Sequence, residues 1–103
     1  MELMNWIIDR LRSNISEAQG YIMKAYAKRE TNATAAAWCR DMAVGHLAFN
    51  SNGIALAKKL MEDLRTSPDR KEYNEGMLAV YGVEIADINK CMAEVNNLIS
   101  AYK

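Results

Sequence analysis

His46 is the only histidine in the chain, and it sits among apolar residues at helical spacing. An imidazole in such a row needs a partner, because a polar group placed in an apolar layer must be hydrogen-bonded. Glu84 and Gln19 are the partners the spacing offers, once the chain is folded into antiparallel helices. A carboxylate accepting the imidazole N–H, with the Gln19 amide beside it, makes a buried polar cluster that can also fix helix register. The same atoms could bind a divalent metal, with His46 and Glu84 as ligands. Ferritin-like sites, however, take Glu-x-x-His motifs from two helices, and here Ala43 stands three residues before His46. A pH-dependent switch or a partner contact is the third use of such a histidine.

Cys39 and Cys91 are the only cysteines, and they fall within about one helical turn of each other in height on neighbouring helices. With no export signal, they read as free thiols packing as small apolar groups in a reducing compartment. A thiol–imidazole dyad with His46 would lie inside a bundle that has no loop to build an oxyanion hole or admit a substrate. No catalytic or nucleotide-binding motif occurs, which argues against an enzyme, and the sequence calls for no cofactor.

The elements that position these residues follow from how few breaks the chain has. Turn chemistry is confined to Thr31-Asn32-Ala33-Thr34 and Thr66-Ser67-Pro68-Asp69, which cut one domain spanning residues 1–103 into segments of matched length. The fold expected is all-α, an antiparallel three-helix bundle of long helices, with dimerisation into a larger bundle as an option. The first helix spans about residues 2–30 with the seam Met4, Ile8, Leu11, Ile15, Ala18, Ile22 and Ala25, in phase across Ser13–Ser16. The second runs to about Leu64 with the seam Cys39, Met42, His46, Phe49, Gly53, Leu56 and Leu60. Asn50-Ser51-Asn52-Gly53 looks like a turn, but a break there would leave fragments too short to cover two long neighbours. The third starts at Ser67 as N-cap with Pro68 in its first turn, and its seam runs from Leu78 through Tyr81, Ile85, Ile88, Met92, Val95 and Ile99 to Tyr102. At about 1.5 Å of rise per residue, residue numbers summing to roughly 63 share a height across the first two helices. Glu17 and Asp87 fall at outward positions, so Glu84 is the carboxylate expected beside His46.

Five glycines lie inside these helices, each costing about 1 kcal/mol relative to alanine. Close helix approach is the simplest account of Gly20 with Gly45 and of Gly53 with Gly82. Seven methionines and eight aromatics exceed what a thin core needs, and methionine with aromatic anchors is the composition of recognition surfaces. Trp6, Ile7, Met23 and Tyr26, near or off the first seam, are the candidate contact residues for a protein partner or for self-association. Thirteen basic and thirteen acidic residues cancel, so nothing favours direct nucleic-acid binding. No stretch is long and apolar enough for a membrane span, and the start lacks a basic signal region; a cytoplasmic location is expected.

The stretch His46-Leu47-Ala48-Phe49-Asn50-Ser51-Asn52-Gly53, following Trp38-Cys39-Arg40-Asp41-Met42, resembles a segment of an uncharacterised family of small helical proteins encoded by phages and prophages. The likeness covers about a third of the chain, mostly the second helix, on a short H-L-x-F-N-x-x-G pattern. It implies a small accessory protein in the host cytoplasm, acting on a host or phage protein, for instance as an inhibitor of a host enzyme.

Overall fold

The computed structural model describes residues 2–103; Met1 lies outside them. Three helices, α1 (Glu2–Lys28), α2 (Ala33–Thr66) and α3 (Lys71–Ala101), run antiparallel as a rod 59 Å long and 17 by 15 Å across. The all-α three-helix bundle is the fold. α1 and α2 form the most closely packed pair, and α3 lies against the groove between them.

α1 follows its sequence seam throughout: Met4, Ile8, Leu11, Ile15, Ala18, Ile22 and Ala25 are all buried, and Ser13–Ser16 is continuous helix. α3 likewise buries Tyr81, Ile85, Ile88 and Val95, with Leu78, Met92, Ile99 and Tyr102 half-buried at its ends. Asn50–Gly53 is helical. Asn32 caps α2, its side chain accepting from the Ala35 N–H at 3.1 Å.

Two expectations are corrected. α3 begins at Lys71 behind Arg70, which adopts the left-handed conformation (φ 54°), rather than at Ser67 and Pro68. Ser67 instead ends α2, and the buried Asn74 ties the connection together by donating to the carbonyls of Asp69 (3.0 Å) and Leu64 (3.4 Å). A side chain that bridges both helix ends outcompetes a proline start.

The second correction concerns the phase of α2. The residues facing the core are Ala36, Cys39, Ala43, Leu47, Asn50, Ile54 and Ala57, one position on from Met42, His46, Phe49, Gly53 and Leu56. α2 is rotated by about one residue, roughly 100°. Small residues let the α1 and α2 backbones approach, so alanines took the core and larger apolar groups were left outside.

Candidate functional site

The rotation of α2 decides where every candidate residue lies. His46 is half-buried, its side chain 21 % exposed, on the flank of α2 that meets α1. Its Nε2 lies 3.1 Å from Glu17 Oε2, and its ring stacks on Tyr21 with centroids 5.5 Å apart and planes 12° from parallel. Trp38 meets Tyr21 edge-on at 5.7 Å, and the Lys24 ammonium stands 5.4 Å from the Tyr21 centroid. Indole, phenol, imidazole and two charges thus form a surface cluster across α1 and α2.

The expected cluster of His46, Glu84 and Gln19 is not formed. Gln19 is exposed. Glu84 pairs with Arg12, accepting from Nη2 at 2.6 Å and Nε at 3.2 Å, while Asp87 accepts from Arg12 Nη1 at 2.9 Å. These hydrogen bonds, Glu84 first and Asp87 second, raise the Arg12 pKa above its ordinary value. Glu17 and Asp87, both expected to point away, therefore reach across helices as Glu84 does. With His46 and Glu84 in different clusters, the two-residue metal site does not assemble. Among the described residues no group of three His, Cys, Asp or Glu side chains comes together as ligands.

The polar residue that does enter the core is Asn50, with no exposed surface. It accepts from Asn14 Nδ2 at 2.9 Å and donates to the Leu11 carbonyl at 3.0 Å. In the sequence it read as part of a turn. Its place seven residues on from Ala43, on the alanine row rather than the Met–Phe–Leu row, is the signal that could have found it.

The four contact candidates separate. Ile7 is core at 3 % exposure, and Tyr26 is half-buried with its hydroxyl donating to the Leu98 carbonyl at 2.7 Å. Trp6 is 61 % exposed and Met23 is exposed too, but seventeen residues of helix set them about 25 Å apart on different flanks of α1. They do not make one patch. Trp6 belongs to another surface, the outer face that α1 and α2 share on the side away from α3. There α2 presents Trp38 (57 % exposed), Phe49 (72 %) and Leu56, with Met42 and Leu60 half-buried on the same stripe and Leu60 also packed on the core; the five fall in steps of four and seven, one stripe of the helix. Leu3 and Trp6 of α1 stand level with Leu60 and Leu56. Beside Phe49 is a shallow depression of about 190 Å³ lined by Asp41, Met42, Gly45, His46 and Phe49.

Grooves of about 430 Å³ near Tyr73 and Val80 and about 400 Å³ near Gln19 and Cys91 follow α1 and α3. Neither contains the histidine, and neither brings a nucleophile to a base. Cys39 is buried, Cys91 half-buried, and both are free thiols. Of the glycines only Gly53 marks a close approach. A Cβ there would lie 2.7 Å from Leu11 Cδ2, on α1 rather than α3, while Gly20, Gly45, Gly76 and Gly82 have nothing within 4 Å. No described helix is long and apolar enough to cross a membrane.

No family model matches the chain, and no match was found among curated proteins or solved structures.

Proposed function

We propose that the chain is a non-enzymatic helical module that acts by protein–protein contact through the outer face of α1 and α2. The observation that carries this reading is the exposure of Phe49, Trp6, Trp38 and Leu56 on one face of a rod whose core is otherwise filled. Large apolar groups exposed on one face are a mark of interaction sites, and aromatic anchors supply much of the binding energy when covered. The polar cluster of His46, Glu17, Tyr21 and Lys24 lies on the same face, which gives the contact polar as well as apolar recognition.

The resemblance to phage and prophage proteins falls on this very segment, His46–Gly53, and supports an accessory protein of the cell interior that acts through a protein–protein contact. The test is affinity capture from an extract of the source cells with wild-type chain and with Phe49→Glu. Phe49 is exposed, so the substitution leaves the core intact. Capture of a discrete protein by wild type and its loss by at least tenfold with the variant is the expected result. Equal capture by both would move the contact off this face.

A further inference from the structure

The outer face of α1 and α2 matches itself when turned end for end. On α2 the apolar stripe is symmetric about Phe49. Antiparallel pairing about that residue sets positions whose numbers sum to about 98 opposite each other, so Trp38 meets Leu60 and Met42 meets Leu56. Gly45 and Gly53 flank Phe49 on either side, leaving room for the ring of the mate. Asp41 and Lys59, at equivalent positions on one edge of the stripe, come together with opposite charge.

α1 repeats the pattern independently. Its outward row is Glu2, Trp6, Arg10, Ser13, Glu17, Gly20 and Lys24, all exposed. Turned about Ser13, numbers summing to about 26 face each other: Glu2 meets Lys24, Arg10 meets Glu17, and Trp6 meets Gly20, where a Cβ would have nothing within 4 Å. The two centres, Ser13 and Phe49, stand at one height by the same rule that places His46 beside Glu17. One two-fold axis therefore serves both helices.

We infer that a second copy of the chain is the occupant of this face, joined antiparallel about an axis level with Ser13 and Phe49, with α1 on α1 and α2 on α2. The inference rests on the contact reading above and names its partner. Such a closed two-fold contact is isologous, each patch serving as both surfaces. A parallel arrangement lays the charged row of α1 on the apolar stripe of α2, setting Glu2 against Leu60, Arg10 against Gly53 and Lys24 against Trp38. The antiparallel one matches charge with charge. The face is about 33 Å long from Trp38 to Leu60 on a rod 17 Å across, a footprint of roughly 560 Å² in projection. A standard complex covers about 800 Å² per partner, so this pairing is expected at the small end of stable interfaces.

The test combines mass, charge exchange and position. Sedimentation equilibrium of the wild-type chain should approach twice 11.6 kDa as concentration rises. Lys24→Glu should weaken the dimer about tenfold, since the axis repeats each lost pair and turns it repulsive, and Lys24→Glu with Glu2→Lys in one chain should recover most of that loss. Ser13→Cys should be joined to its mate by a short bis-maleimide, whereas Lys90→Cys, exposed on the far side of α3, should not. Monomer mass throughout, no recovery in the double variant, or equal linking at Lys90→Cys would overturn the pairing. A wild-type monomer that still captures a foreign protein through Phe49 would reject the self-pairing alone; a monomer that captures nothing would reject the contact reading as well.

Discussion

Asn14 donates to Asn50 at 2.9 Å, and Asn50 in turn donates to the Leu11 carbonyl at 3.0 Å, so one buried amide fastens α1 to α2 at the middle of their contact. Both of its side-chain polar atoms find their partners on α1. Asn50→Asp should therefore cost about 3 kcal/mol or more at neutral pH, because it sets a carboxylate against a carbonyl out of reach of water. Asn50→Leu should stay within about 1 kcal/mol, since an apolar replacement of similar volume leaves little unsatisfied. Urea denaturation of the two variants checks this; equal midpoints would show that the amide pair carries no such role.

His46 belongs with Glu17 and Tyr21. Glu17→Ala should shift the His46 ring proton resonances in an NMR spectrum, and Tyr21→Leu should shift them further by removing the ring current. Glu84→Ala should leave them in place. Movement with Glu84→Ala and none with Glu17→Ala would restore the arrangement the sequence suggested.

Arg12 joins α1 to α3 through Glu84 and Asp87 on a partly exposed surface. Arg12→Ala should cost no more than about 1 kcal/mol, with a smaller difference in 1 M salt than in 0.1 M. A guanidinium whose pKa is raised in the folded state contributes stability that is complete below its ordinary range. That contribution is lost only as pH rises through the raised value, so the arginine adds no pH dependence near neutrality. A larger, salt-independent loss in chemical denaturation would mean that the Arg12 stem packs as core.

Gly53 allows Leu11 to lie against the α2 backbone. Alanine in a helix gains about 1 kcal/mol over glycine, and Gly82→Ala, with open space around it, should show that gain. Gly53→Ala should trail it by about 1–3 kcal/mol, because the new methyl must displace a packed leucine. Thermal unfolding of the pair would contradict the close contact if both variants gained alike.

The sequence made α1 and α3 legible because each carries one apolar row, and a single row admits one phase. α2 carries two. Met42, Phe49, Leu56 and Leu60 form the one with the larger apolar groups, whereas Ala36, Cys39, Ala43, Leu47, Asn50, Ile54 and Ala57 form the one that packs. Side-chain size ranks the first row higher, but close packing against α1 selects the second, since short side chains let the helix axes approach. From that single rotation follow the displacement of His46 toward Glu17, the burial of Asn50 and the exposure of Phe49. The start of α3 was misread for a different reason, because Ser67-Pro68 is a sound N-terminal signal locally and only the reach of Asn74 to Leu64 and Asp69 shows why the helix waits until Lys71. Of the four contact candidates, only Trp6 lies on the face proposed for the contact.

Both tryptophans of the chain, Trp6 and Trp38, stand on the outer face of α1 and α2 and are more than half exposed in the single chain. Acrylamide quenching of tryptophan fluorescence therefore reads that face directly. The expected result is strong quenching at high dilution, falling several-fold as wild-type concentration rises and the indoles are covered, with Phe49→Glu quenched strongly throughout at unchanged helical circular dichroism. Quenching that stays strong and identical for wild type and Phe49→Glu, at every concentration and after addition of any captured protein, would contradict the assignment of this face as the working surface.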